Sequence, residues 1–155
     1  MSTLEQALKR SNKLFVDGIF IENLRSLVKI VTDSKNSHRV EDLVDYYTKG
    51  LSNILAELGI QTDIVDNSIK SGPPFLIGSR MESPEFKTIL IYGHGDTVPL
   101  QVGEWHEGIS PSELKIIDNK IYGRGVADNK GQHLINLLAL HSVLKTRKKL
   151  GFNLK

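Results

Sequence analysis

His94 and Asp96 stand two residues apart in Tyr92-Gly93-His94-Gly95-Asp96-Thr97-Val98-Pro99, directly behind the apolar run Thr88-Ile89-Leu90-Ile91-Tyr92. In open α/β sheets, sites gather at the carboxyl ends of strands. Residues two apart on an extended segment point the same way. His94 can therefore offer one ring nitrogen to a metal while Asp96 accepts a hydrogen bond from the other, which fixes the tautomer and raises ligand basicity. The competing reading is a turn histidine beside an aspartate that caps a local turn.

A second stretch, Ile121-Tyr122-Gly123-Arg124-Gly125-Val126-Ala127-Asp128-Asn129-Lys130-Gly131, sets Asp128 just before a long apolar helix pattern. Asp128 is read either as that helix's N-cap or as a carboxylate whose two oxygens bridge two metal ions, with Asn129 taking over the cap. Gly123-x-Gly125 suggests a dinucleotide loop. The third glycine of that fingerprint would fall at position 128, where an aspartate repels a pyrophosphate. A nucleotide-binding domain is excluded on that ground.

The elements that must position these residues follow from periodicity. Ser2 and Glu5 fit a capping box, with Leu4, Leu8 and Phe15 as the apolar stripe of a first helix. Ile21, Leu24, Leu27, Val28 and Val31 mark a second helix from Ile19, and a third runs from about Val40 to Leu58, ended by Gly59. Short strands follow at Ile60 to Val65 and Phe75 to Ile77, and Thr88 to Tyr92 reads as a strand covered on both faces. Asp118-Asn119 predicts a tight hairpin. A helix from Asn129 to about Arg147 carries Leu134, Ile135, Leu137, Leu138, Leu140, Val143 and Leu144. A last strand begins at Phe152. The predicted class is α/β.

Composition narrows the chemistry. The 155 residues contain no cysteine, so a metal must be held by His and carboxylates. A formal charge of +2 gives no reason to expect nucleic acid or an anionic membrane as partner. No apolar run approaches the roughly 20 residues of a membrane span, and the first residues lack a signal-peptide core. A cytoplasmic protein is the default expectation.

Taken jointly, Tyr92 to Pro99, Trp105, Tyr122 to Gly125 and Asp128 to Gly131 resemble the M20 metallopeptidases, a family of carboxypeptidases, dipeptidases, aminoacylases and desuccinylases. The resemblance covers the chain from about Val40 to its end. It implies a three-layer catalytic domain of the zinc-dependent exopeptidase type, with residues 1–155 as its N-terminal portion, incomplete at the C-terminus and with no second domain present. It implies two divalent ions, Zn²⁺ with Co²⁺ or Mn²⁺ as alternatives. His94 would ligate one ion, Asp128 would bridge both, and Asp96 would be the catalytic-site residue that orients His94. The peptide after the bridging aspartate, here Asp128–Asn129, is often cis in the family.

The implied reaction is hydrolysis of a peptide or N-acyl amide bond in a small substrate through a metal-activated water. Deacylase or desuccinylase chemistry, or a non-catalytic module that retains the fold, are the alternatives. Asp128 to His133 looks most like peptidase-type members. The chain departs from the family at His106 to Pro111, where many relatives carry Pro-Phe, and this loop is expected to line the mouth of the site. His133 is expected to be a polar helix residue or an outer contact; His38, His106 and His141 are read as surface or satisfied histidines. The Glu-Glu pair with the general base, a further acidic ligand, a distant His and the small inserted dimerising domain have no counterpart in residues 1–155. The expectation is therefore an inactive fragment, with an unpaired strand edge at its end, of a homodimeric parent enzyme.

Overall fold

The computed structural model describes residues 2–70 and 72–155. Helix α1 (Thr3–Val16) opens with the predicted capping box: Glu5 N–H donates to Ser2 Oγ at 3.2 Å, and Ser2 N–H donates to the Glu5 carboxylate at 2.7 Å. Its predicted stripe is not what it buries. Leu4, Leu8 and Phe15 are all exposed, while Ala7 is buried and Leu14 packs on the core. α1 lies along α5 (Lys130–Arg147), and it does so through the face that carries the small Ala7. Two apolar stripes compete on this helix, and periodicity alone does not rank them.

Helix α2 (Ile19–Lys29) buries Leu24, Leu27 and Val28, as its spacing predicts. The third predicted helix is observed as α3 (Arg39–Asp45), a π-helical turn (Tyr46–Leu51) and α4 (Ser52–Glu57) in direct succession. It ends in a Schellman arrangement. Gly59 N–H donates to Ala56 O and Ile60 N–H donates to Leu55 O, both at 2.9 Å, with Gly59 at φ 63°. The core gathers Leu24, Leu27, Val28, Tyr46, Leu51, Leu55, Leu114, Leu134 and Leu138.

Strands β1 (Gln61–Val65) and β2 (Phe75–Ser79) pair antiparallel, and β4 (Lys115–Ile117) and β5 (Lys120–Tyr122) form the predicted hairpin. Its turn residues Asp118 and Asn119 both have positive φ, 50° and 61°, which is the twist-matched geometry of a two-residue turn. β3 (Thr88–Ile89) runs parallel to β6 (Asn153–Leu154). An antiparallel bridge between Arg80 and Leu154 ties β6 to the end of β2. The strand order through these contacts is β1-β2-β6-β3.

That order corrects two expectations. The last strand is not an open edge, because β6 is paired on both sides and both its residues are buried. The apolar run from Thr88 is also not covered on both faces. Regular strand structure stops at Ile89, and among the described residues Leu90 stays 76% and Tyr92 83% exposed. Ile89 and Ile91 on the alternate face are exposed as well, so the sequence run reflects a demand for cover that the described residues meet on neither side.

Polar groups lock β6 in place. Asn153 Oδ1 accepts from Glu82 N–H and Ser83 N–H, and its Nδ2 donates to Ser83 O and Phe86 O, all within 2.7–3.1 Å. Both amide groups of this buried side chain are thus used. Glu82 receives Leu150 N–H at 2.8 Å and Gly151 N–H at 2.9 Å and pairs with Arg80 at 3.1 Å. Burial opposes ionisation of Glu82, but these backbone bonds and the guanidinium outweigh it and hold the carboxyl below its ordinary value.

A carboxylate with a lowered pKa stabilises the fold above its unfolded value of 4.5 and loses that contribution as pH falls through the folded one. Glu82→Gln is expected to be less stable than the parent at pH 7. The difference should shrink steadily below pH 4.5 in urea unfolding followed by circular dichroism. An unchanged gap at acid pH would contradict this account.

Candidate functional site

The segment after β3 carries His94 and is held from below by threonines. Thr32 Oγ1 donates to Gly95 O at 2.7 Å, Thr97 N–H donates to Thr32 O at 2.8 Å, and Ser34 N–H donates to Thr97 O at 2.9 Å. The chain leaving α2 therefore lies beside the chain that presents His94 and Asp96. Extended backbone alternates its sides. Gly93 and Gly95 turn inward and His94 turns outward.

The inward side has no room for a side chain. A Cβ on Gly93 would sit 1.7 Å from His133 Nε2 and 2.6 Å from Asn129 Oδ1. A Cβ on Gly95 would sit 2.9 Å from Tyr46 Cδ1 and 3.0 Å from Leu43 Cδ2. Both glycines are required by close approach rather than by an unusual φ.

On the outward side, His94 Nε2 lies 2.9 Å from Asp128 Oδ1. Its Nδ1 lies 3.0 Å from the Asp96 carbonyl and 3.3 Å from the Asp96 carboxylate. Three residues singled out by type and spacing thus meet in space, although Asp128 is remote from His94 in sequence. Burial alone would lower the His94 pKa. The hydrogen bond to Asp128, the one to the Asp96 backbone and the charges of both carboxylates outweigh it and leave it raised.

Asp128 is not the helix cap. The N-cap position of α5 is Asn129, whose Nδ2 donates to Gln132 Oε1, and the Asp128 side chain is exposed and aimed at His94. The Asp128–Asn129 peptide is cis. Lys130 follows at once and is 1% exposed. Its ammonium donates to Leu27 O at 3.0 Å and Ile30 O at 2.5 Å, the last carbonyls of α2, and stands 5.1 Å from the Tyr46 ring centroid. Burial pushes its pKa down to about 8. Lys130 thus fixes the start of α5, and with it Asp128, to the end of α2.

Sequence reasoning did not single out Tyr46 or Lys130. Tyr46 sits in an apolar helical stripe and reads as core; only its hydroxyl, 3.3 Å from His133 Nδ1, sets it apart. His133 is half-buried, and burial with the neighbouring His94 lowers its pKa. At the far edge, Trp105 Nε1 donates to Leu100 O at 2.8 Å. Arg124 lies 5.3 Å from the Trp105 ring and donates to Gln101 Oε1 at 2.8 Å, clasping the loop from Leu100 to Trp105. A cleft of about 250 Å³ lined by Tyr92, Asn129, Gln132, His133, Ile135 and Asn136 includes neither His94 nor Asp128.

The donor set suits a divalent cation. An imidazole nitrogen and a carboxylate oxygen converge, and the other ring nitrogen is oriented by Asp96. Among the described residues no group of three or more His, Cys, Asp or Glu side chains could hold a metal ion.

Comparison with known proteins comes to the same stretch. Residues 90–155 match the model of Peptidase family M20/M25/M40. The chain is 29% identical over 147 residues to a Beta-Ala-His dipeptidase of Mus musculus, covering 88% of this chain and 29% of the relative. It is 30% identical over 112 residues to an acetylornithine deacetylase of Vibrio vulnificus, covering 72% and 28%. The solved dipeptidase Dug1p of Saccharomyces cerevisiae superposes with a TM-score of 0.83 at 25% identity, over 99% of this chain and 34% of that one. The chain spans about a third or less of the length of these relatives.

The glycine packing is directly testable. Gly93→Ala drives a methyl group into His133 and Asn129 and is expected to destabilise the chain by about 1–3 kcal/mol. Equilibrium urea unfolding measures this. Wild-type stability of the variant would show that the His133 ring does not rest on Gly93.

Proposed function

From a chain that is M20/M25/M40 peptidase sequence over residues 90–155, we propose that residues 1–155 form the N-terminal portion of a catalytic domain that hydrolyses a peptide or N-acyl amide bond in a small substrate. The observation that carries this reading is the 2.9 Å approach of His94 Nε2 to Asp128 Oδ1, with Asp96 on the opposite ring nitrogen. His94 would hold one ion and Asp128 would serve both, while Asp96 fixes the His94 tautomer so that Nε2 points outward. The bound ions, Zn²⁺ or in its place Co²⁺ or Mn²⁺, supply Lewis acidity for the substrate carbonyl and lower the pKa of water.

This chain's own residues do the orienting. Asp96 holds the His94 ring, Lys130 anchors the turn that bears Asp128, and the Arg124–Trp105 clasp fixes the loop leading to His106–Pro111. A dipeptide is the favoured substrate, because the Asp128 to His133 segment is peptidase-like and a dipeptidase is among the relatives. An N-acyl amino acid is the second reading, supported by the deacetylase relative. A non-catalytic module is disfavoured, since such a module has no physical need for an oriented His94 beside Asp128. No helix among the described residues is long and apolar enough to cross a membrane. A cytoplasmic, homodimeric parent enzyme is proposed separately, on the family resemblance alone.

Two ligands fall short of the three protein ligands usual for one catalytic zinc. The 155-residue chain is therefore expected to bind Zn²⁺ or Co²⁺ weakly in calorimetric titration, and His94→Ala and Asp128→Ala should each abolish the binding. It should not hydrolyse β-alanyl-histidine or N-acetylornithine. Binding that survives both substitutions overturns the ligand assignment, and turnover by the isolated chain overturns the expected inactivity.

A further inference from the structure

We propose that Tyr46 and His133 are positioning residues for His94, forming a two-ring platform on which the Gly93-His94-Gly95 backbone rests. The proposal deepens the reading above and rests on His94 being a metal ligand.

The geometry converges from three directions. The His133 ring lies directly under Gly93 and the Tyr46 ring directly under Gly95, at approaches that leave no space for a Cβ at either position. The two rings are joined to each other by the 3.3 Å contact of Tyr46 Oη with His133 Nδ1. They come from different elements, Tyr46 from the π-helical turn after α3 and His133 from the first turn of α5. The Lys130 ammonium beside the Tyr46 ring adds a third attachment.

With both flanking glycines seated, the one side chain between them is turned away from the platform and toward Asp128. A shift of either ring moves the Gly93 or Gly95 backbone and so changes the direction of His94. The same α5 that contributes His133 begins just after Asp128, so the platform and the carboxylate move as one body. Tyr46 and His133 touch neither substrate nor metal in this account. They act through the backbone that carries His94. Partners that orient a metal-ligating histidine typically change metal affinity about 10–100-fold when altered.

The test uses the 155-residue chain with Tyr46→Phe, which removes one oxygen and keeps the ring, and His133→Gln as a second variant. At fixed pH without metal, the carbon-bound proton of the His94 ring at Cε1 is followed by NMR. Both variants should displace that resonance while the melting temperature stays within about 4 °C of the parent, the shift typical of losing one modest interaction in a chain of this size. Zn²⁺ affinity measured by calorimetry should fall about tenfold. Ser142→Ala, which removes a buried hydroxyl bonded to Leu138 O further along α5, serves as the control for a purely structural loss and should leave the His94 resonance in place.

A His94 resonance unmoved in both Tyr46→Phe and His133→Gln overturns the positioning role, whatever the metal data show. Zn²⁺ affinity that is unchanged by His94→Ala, or absent from the parent chain, overturns instead the ligand reading on which the proposal rests. The NMR comparison then still decides whether the platform orients the ring.

Discussion

The interaction on which the rest of this structure depends is the seating of one ammonium group. Lys130 is almost fully buried, and its charge is met by the last carbonyls of α2 and the face of Tyr46. Among the described residues no carboxylate pairs with it. Such a charge is tolerated because the C-terminal end of a helix presents unsatisfied carbonyls carrying partial negative charge. Burial still disfavours the ammonium, as its lowered pKa records. What the arrangement secures is position: α2, the Tyr46 turn and the start of α5 are drawn to one point, a single residue beyond Asn129.

From that point the site is assembled by backbone rather than by a dense network of side chains. The segment from Gly93 to Thr97 is pinned by Thr32 on one side and by two aromatic rings on the other. His94 is left as the projecting group. Asp128 reaches it from the opposite element with no capping duty to distract it, since Asn129 occupies the N-cap position. The two carboxylates facing one imidazole raise the His94 pKa.

Much of this was legible in the residues. The capping box at Ser2 and Glu5, the helix end at Gly59 and the Asp118-Asn119 hairpin each depend on contacts within a few residues, and local chemistry specifies them. His94, Asp96 and Asp128 were legible as candidates because their residue types are few and their placement beside an apolar strand and a helix start is unusual. What stayed hidden depended on partners far away in sequence. The burying face of α1 is chosen by α5, and the exposure of Leu90 and Tyr92 by the lack of a covering element among the described residues. The central place of β6 depends on Arg80, and the part played by Tyr46 on two glycines remote from it. A tyrosine in a helical apolar stripe carries no mark of such a task.

The π-helical turn follows from the same competition. Leu43, Tyr46, Leu51, Leu55 and Leu58 are all buried, yet the five-residue step from Tyr46 to Leu51 would throw a regular α-helix well off its apolar face. A wider i→i+5 turn brings Leu51 back into phase. Two obligations meet there: Tyr46 answers to the loop above it, and Leu51 to the core below. One surplus residue is looped out to reconcile them. A shorter version of this helix, lacking a single residue between the two, would regain ordinary winding and keep both in register. The bulge thus lets one helix serve two surfaces whose spacing along the chain does not match the winding of an α-helix.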